Sequence, residues 1–143
     1  MTDTVRDAVA STSISASRET VWEALTSPRQ IREYFLGAEV ESTWQVGSPV
    51  TFAGEWQGKP YRDHGVVLAS EPPRLLRISH FSPLSGKADV PENYHTVEYQ
   101  VEELGDGVRV TITQGNNKND AEVTESEKTW QLVLSNLKEL LES

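Results

Sequence analysis

The sequence contains three histidines, His64, His80 and His95, which are its best candidates for acid–base or metal chemistry. An imidazole serves as a general acid or base near neutral pH, or as a zinc ligand. A meander of antiparallel strands would bring Phe81 back beside His64 and place His80 near His95. Because a one-residue slip in register turns a side chain to the opposite face, two interpretations stay open. These are a three-histidine zinc site and separate histidines hydrogen-bonded at the sheet surface. The second is favoured, and we expect no metal and no cofactor.

Aromatic residues indicate a binding pocket more directly than the histidines do. Four of them flank turns or loops near one end of the predicted sheet, where a core does not require them: Trp56, Tyr61, Phe81 and Tyr94. Trp and Tyr combine a large apolar area with a polar group. We therefore predict a ligand pocket lined by ten residues of the sheet, its loops and the last helix: Trp56, Tyr61, His80, Phe81, Tyr94, His95, Tyr99, Gln114, Trp130 and Leu134.

A few polar residues are candidates for orienting a ligand in that pocket. Gln114 shares a strand face with apolar residues, and a buried amide needs a hydrogen-bond partner. It either contacts a ligand or bonds water near the strand end. The carboxylates of Glu55 and Asp63, on either side of a turn, are either polar groups at the pocket rim or ordinary exposed side chains.

The elements that position these residues follow from hydrophobic periodicity. Val9–Ala16 alternates as a first strand, Ser17 is typical of an N-cap for a helix over 18–25, and Ser27 followed by Pro28 predicts a second short helix. The last helix runs over 120–143, and its apolar stripe comprises Trp130, Val133, Leu134, Leu137, Leu140 and Leu141.

Six further strands are predicted between residues 38 and 115. They are Ala38–Trp44, Val50–Trp56, Gly65–Ala69, Leu75–Phe81, Tyr94–Leu104 and a last strand from Val108. The segment Ser82–Asn93 is predicted as a longer loop that gates the pocket entrance. The order of elements predicts an α+β helix-grip fold, in which a curved antiparallel sheet of about seven strands (β-α-α-β6-α) wraps around the long C-terminal helix.

Composition narrows the class of protein. A chain of 143 residues suits a single domain over 1–143, and the absence of cysteine fits a reducing interior. The first residues lack the apolar segment of a signal peptide and no run is long enough to span a membrane, so we expect a cytoplasmic protein. The net charge of −9 argues against nucleic acid as a partner.

The sequence resembles the START-like (SRPBCC) superfamily, in the branch related to the activator of Hsp90 ATPase homologue 1. The resemblance spans nearly the whole chain, and its segments are Ser17–Pro28, Tyr34–Phe35, Trp44–Gly47, Phe52 with Gly54–Trp56, Gly65 with Val67–Leu68, Glu71–Leu75, and Trp130 with Leu134, Leu137 and Leu141. It implies the helix-grip fold and a container for lipids, hormones or polyketides. Eukaryotic Hsp90 activators carry an additional N-terminal domain, whereas this sequence starts a few residues before its first predicted strand.

Three functions follow from these observations. The leading one is binding of a hydrophobic or amphipathic small molecule, oriented by Gln114, His80, His95 and Tyr99. The second is a cyclase or hydrolase in the same cavity, with His80 or His95 as general acid or base. The third is a module that associates with an Hsp90-type chaperone, for which the acidic charge would suit a basic partner surface.

Overall fold

The computed structural model of the protein describes residues 5–142, without the side chain of Trp56. Its elements are β1 (Ala8–Ile14), α1 (Arg18–Thr26), α2 (Pro28–Tyr34), β2 (Glu39–Glu41), β3 (Pro49–Trp56), β4 (Lys59–Glu71), β5 (Leu75–His80), β6 (His95–Leu104), β7 (Gly107–Gly115) and α3 (Asp120–Glu142). Two short 3-10 turns, Pro83–Ser85 and Pro91–Asn93, lie between β5 and β6.

The strands form one curved antiparallel sheet in the order β1-β7-β6-β5-β4-β3-β2. Strands β2 to β7 are a meander of neighbours, and β1 returns to pair with β7, where Ala8 lies opposite Gln114. The two short helices and the long α3 complete the helix-grip arrangement. The predicted fold class and the predicted number of strands are confirmed.

The helix boundaries follow the capping residues that the sequence indicated. The Ser17 hydroxyl accepts a hydrogen bond from the Thr20 backbone amide at 3.1 Å, and the Ser27 hydroxyl accepts one from the Gln30 amide at 3.4 Å. Each cap satisfies a backbone donor of the first turn that has no partner within the helix. Pro28 occupies the first position of α2, where its missing N–H costs nothing.

Helix α3 packs its apolar stripe on the sheet and covers the free edge of β1. Val133, Leu134 and Leu137 are almost completely buried. Along the outer edge of β1, the Val9 and Ser15 amides donate to the carboxylates of Glu127 and Glu142 at 3.0 and 2.8 Å. The side chains of Gln131 and Lys138 donate to the carbonyls of Ser11 and Ser13. Polar side chains of α3 therefore satisfy an edge that would otherwise be open to pairing with another chain.

Two strands differ in length from the prediction. The strand predicted over Ala38–Trp44 is only the three-residue β2, because the chain leaves the extended region and Trp44 has a φ of 63°. Strand β4 is much longer than the predicted Gly65–Ala69, since it begins directly after the two-residue turn at Gln57 and Gly58, both of which have positive φ.

The corner predicted at the two prolines is confirmed. It joins β4 to β5 and contains a cis bond between Pro72 and Pro73. No helix within the described residues is long and apolar enough to cross a bilayer.

Candidate ligand-binding cavity

A cavity of about 560 Å³ lies between the concave face of the sheet and the N-terminal half of α3. Its floor consists of buried side chains from β3, β5, β6, β7 and α3: Phe52, Ile78, Val97, Tyr99, Gln114 and Trp130. Its rim consists of exposed residues: Leu36, Glu55, Leu84, Ser85, Glu125 and Thr129. Leu84 and Ser85 belong to the loop that the sequence indicated as a gate.

Gln114 on β7 connects the floor of the cavity to α3. Its amide oxygen accepts a hydrogen bond from Trp130 Nε1 at 2.8 Å, and its amide nitrogen donates to Asn117 Oδ1 at 2.9 Å and to Ser126 Oγ at 3.0 Å. Both amide hydrogens are therefore used within the protein. The partners of Gln114 are protein groups, so its first role is to hold the Trp130 ring in place in the cavity lining.

Two of the hydroxyl groups that line the cavity, those of Tyr99 and Ser126, are positioned to bind a ligand. Tyr99 is 8% exposed, lines the floor, and its hydroxyl has no hydrogen-bond partner among the described residues. Burial raises the pKa of Tyr99 far above its ordinary value, so the group stays a neutral donor. Ser126 accepts from Gln114 and keeps its own proton free to donate.

His80 and Asp63 form a hydrogen-bonded pair in the cavity wall. His80 Nε2 lies 3.0 Å from Asp63 Oδ2, and the imidazole packs edge-on against the Phe52 ring with 5.7 Å between centroids. A carboxylate only accepts, so Nε2 carries a proton, and in the neutral form of the ring Nδ1 keeps its lone pair. The second carboxylate oxygen of Asp63, Oδ1, is buried and has no partner.

Two glycines permit the close contacts that build this wall. A Cβ atom at Gly65 would lie 1.7 Å from the Ser79 carbonyl oxygen, so only glycine lets β4 approach β5 this closely and bring Asp63 to His80. Gly54 lies opposite Tyr61, and a Cβ atom there would lie 2.8 Å from the Tyr61 hydroxyl. The Tyr61 side chain therefore lies across Gly54.

Five of the ten residues predicted to line the pocket do line this cavity: Tyr61, His80, Tyr99, Gln114 and Trp130. The side chain of Trp56 lies outside the described part of the structure. Leu134 is fully buried in the core beneath α3, one turn beyond Trp130, because the apolar stripe of the helix closes onto the sheet there. Phe81, Tyr94 and His95 do not line the cavity: the first two lie on the other face of the sheet, and the His95 nitrogens contact Gly115 and Glu122.

Phe81 and Tyr94 belong to the other face of the sheet. Phe81 pairs with His64 in a β-bridge, and residues alternate along β4, so that Asp63 faces the cavity and His64 faces away from it. The Tyr94 ring stacks on Phe81 with 5.1 Å between centroids. His64 Nε2 lies 3.0 Å from both the Tyr94 hydroxyl and an Asp89 oxygen.

The Asp89 contact anchors the loop between β5 and β6 to the outer face of the sheet. Tyr94 donates a hydrogen bond to Asp89, and this bond lowers the pKa of the Asp89 carboxyl and raises the pKa of Tyr94. The Asn116 amide also donates to the carbonyls of Glu92 and Tyr94 at 2.8 Å. The same loop contributes Ser82, Leu84 and Ser85 to the cavity wall.

His95 lies directly opposite His80 in the sheet, and their rings stack with 6.5 Å between centroids. Its two nitrogens face other groups: Nδ1 donates to the Gly115 carbonyl at 3.2 Å, and Nε2 lies 3.9 Å from Glu122 Oε1. The three histidines do not converge, because His64 is on the opposite face. Across residues 5–142, no group of three histidine, aspartate or glutamate side chains is arranged to hold a metal ion.

Sequence reasoning missed several lining residues, although two carried a usable pattern. Ser126 lies four residues before Trp130 and therefore shares its face of the helix. Phe52 shares one face of β3 with Val50 and Gly54, which places it on the inward face. Phe35 and Leu36 follow α2, and nothing in the sequence brings that segment to the cavity.

A seven-stranded sheet that grips a long C-terminal helix and leaves a cavity between them defines the helix-grip class of SRPBCC domains. Comparison with known proteins agrees with this class. The chain belongs to the family of activator of Hsp90 ATPase homolog 1-like proteins, whose model matches residues 15–142. A search of curated proteins finds no match.

Solved structures show the same architecture. The solution structure of protein ChR145 from Cytophaga hutchinsonii is 44% identical, with a TM-score of 0.85 over 99% of this chain and 97% of that one. CalU16 from Micromonospora echinospora is 25% identical, with a TM-score of 0.70 over 92% of this chain and 73% of that one. The Aha1 dimer from Colwellia psychrerythraea is similar in fold, at 19% identity and a TM-score of 0.72 over 94% and 95% of the two chains.

Proposed function

We propose that the protein binds a hydrophobic or amphipathic small molecule in the cavity between the sheet and α3. The observation that carries the proposal is the cavity of about 560 Å³, which has an aromatic and aliphatic floor and an unpartnered Tyr99 hydroxyl. Ligand pockets in proteins range over about 300–1,000 Å³ and combine apolar walls with a few polar groups. Burial of the ligand's apolar surface, at about 25 cal/mol per Å², supplies the affinity.

The experiment compares ligand binding by two phenylalanine variants of α3. Ser126 lines the cavity and Ser135 is exposed on the same helix. Ser126→Phe fills the cavity, whereas Ser135→Phe adds the same side chain to solvent. Native mass spectrometry and thermal shift are measured with neutral naphthyl alcohols and larger polycyclic alcohols. We expect binding by the natural protein and by Ser135→Phe, and its loss in Ser126→Phe. Absence of binding by the natural protein, or equal binding by all three, would overturn the proposal.

A second candidate function is general acid–base catalysis on the bound molecule, which the His80–Asp63 pair favours. Asp63 holds the imidazole in one tautomer, and the remaining nitrogen has a lone pair that can accept a proton. The test measures hydrolysis of p-nitrophenyl butyrate, and deuterium exchange next to the carbonyl of 2-acetylnaphthalene. We expect a rate above background that His80→Gln abolishes and the outer-face variant His64→Gln retains. A rate that survives His80→Gln would exclude His80 as the base.

An Hsp90-type chaperone is the other partner that the family supports. The ATPase activity of such a chaperone is measured in the presence of each of the two α3 variants. The comparison shows whether the cavity or the protein surface is needed for stimulation. Stimulation that persists in Ser126→Phe would assign that activity to the surface. Loss of stimulation in Ser126→Phe alone would link it to occupancy of the cavity.

A further inference from the structure

We propose that the cavity selects an amphipathic ligand that carries a protonated amine, with the amine bound at Asp63 and the apolar body against Trp130. This inference rests on the proposed ligand-binding function and adds the chemical class of the headgroup. Three observations support it: the charges that line the cavity, the incomplete hydrogen bonding of Asp63, and the aromatic rings around that carboxylate.

Apart from the His80 imidazole, which binds Asp63, the ionisable side chains that give the cavity its charge are of one sign. Glu55, Asp63 and Glu125 contribute carboxylates, and among the described lining residues there is no lysine or arginine. The chain as a whole carries a net charge of −9. A cavity lined by one sign of charge attracts the opposite charge and disfavours its own. An anionic amphiphile would therefore meet repulsion at the rim and in the wall.

Asp63 is the carboxylate that a ligand would contact inside the cavity. Its side chain is 14% exposed, whereas the side chain of Glu125 is 77% exposed and well solvated. One Asp63 oxygen binds His80, and the other is buried without a partner. A buried acceptor without a partner is costly, and an ammonium N–H removes that cost. Asp63 is one of the residues that line the cavity, so an ammonium group would reach this carboxylate from the cavity side.

Aromatic rings surround the same position. Phe52 lies opposite Asp63 across the β3–β4 pair, and Tyr61 precedes it by two residues on the same face of β4. Trp130 and Tyr99 continue the aromatic wall and pack together with 6.1 Å between ring centroids. The faces of such rings attract cations, most strongly when water is excluded. The carboxylate and the rings thus favour the same kind of headgroup.

Three compounds with one naphthyl body and different headgroups test the proposal: 2-(1-naphthyl)ethylamine, 2-(1-naphthyl)ethanol and 1-naphthylacetate. Dissociation constants are measured by isothermal titration calorimetry at neutral pH. A hydrogen bond to a charged group adds enough free energy for about a tenfold gain, so the amine should bind about tenfold more tightly than the alcohol. The acetate should bind more weakly than the alcohol.

Variants of the carboxylates assign the selectivity to residues. Asp63→Asn should bring the amine to within about twofold of the alcohol, because the charge that strengthens the hydrogen bond is gone. The double variant Glu55→Gln/Glu125→Gln should reduce the preference less, since exposed charges contribute little. Glu139→Gln, an exposed position on α3, is the matched control and should leave all three constants unchanged.

The outcomes separate this proposal from the binding function on which it rests. If the alcohol binds as tightly as the amine, the headgroup proposal is wrong and ligand binding stands. If none of the compounds binds, the proposed function fails as well. If Asp63→Asn does not fold, the order of the three compounds on the natural protein decides: amine, alcohol, acetate supports the proposal, and any other order overturns it.

Discussion

The hydrogen bonds of Gln114 lead to a quantitative prediction about stability. Gln114→Leu removes its bonds to Trp130, Asn117 and Ser126, which measure 2.8, 2.9 and 3.0 Å. The Trp130 N–H and the Asn117 oxygen then lose a partner in a region where both residues are less than 10% exposed. Each buried group left without a partner costs about 1–3 kcal/mol, so we expect Gln114→Leu to lower the free energy of unfolding by about 3 kcal/mol.

A double-mutant cycle isolates the contact between Gln114 and Trp130. Trp130→Phe alone leaves the Gln114 oxygen without its donor and should cost about 2 kcal/mol, part of it from the smaller ring. The double variant removes both the indole N–H and the amide oxygen, so neither group is left buried without its partner. Its loss should therefore be smaller than the sum of the single losses by about 1 kcal/mol.

The cycle is measured by urea unfolding followed by far-ultraviolet circular dichroism, because replacing Trp130 changes the fluorescence. Gln100→Leu, on the exposed face of β6, is the matched control and should change the free energy of unfolding by less than about 0.5 kcal/mol. If the loss in the double variant equals the sum of the two single losses to within about 0.3 kcal/mol, the coupling between Gln114 and Trp130 is refuted.

Two further predictions concern the frame around the cavity. Gly65→Ala should lower the free energy of unfolding, measured in urea, by more than about 3 kcal/mol, because its Cβ atom would lie 1.7 Å from the Ser79 carbonyl oxygen. The control Gly105→Ala, whose Cβ atom would have nothing within 4 Å, should be nearly neutral. Equal losses in the two variants would contradict this account. The carboxyl pKa values of Glu127 and Glu142 are lowered from 4.5, chiefly by the hydrogen bonds to Arg6 and to the Ser15 amide respectively. The stabilising effect of the two carboxylates is therefore present above pH 4.5 and is lost as the pH falls through the lower pKa values of the folded state. The urea midpoint should fall on acidification below pH 4.5, and it should fall less in Glu127→Gln/Glu142→Gln; an identical fall in both proteins would show that these two carboxyls are not responsible.

Local chemistry in the sequence was sufficient to predict most of the fold. The caps at Ser17 and Ser27 and the prolines at the β4–β5 corner depend on nearest neighbours along the chain, and the structure has each of them at the predicted place. The stripe of α3 depends only on helical periodicity, and four of its six residues are buried in the core. Elements whose cause is local were therefore predictable.

The lengths of β2 and β4 were not predictable in the same way. Strand β2 ends at Glu41, and Trp44, which is aromatic and therefore favours a strand, instead has a positive φ. Strand β4 extends to Lys59 because β3 is available as its partner, including at Pro60, which a sequence argument assigns to a turn. For β4 the neighbouring strand, rather than local propensity, decided the conformation.

For the site, the sequence determined which residues have the required chemistry, and the tertiary structure decided which of them meet. The sequence placed Gln114 on an inward strand face and identified Asp63 and His80 as polar candidates. Only the register of β4 and β5 brings Asp63 to His80 and turns His64 to the other side of the sheet. Register is decided by the burial of whole strand faces and by the close approach at Gly65, which are sums over distant contacts that local sequence patterns do not contain.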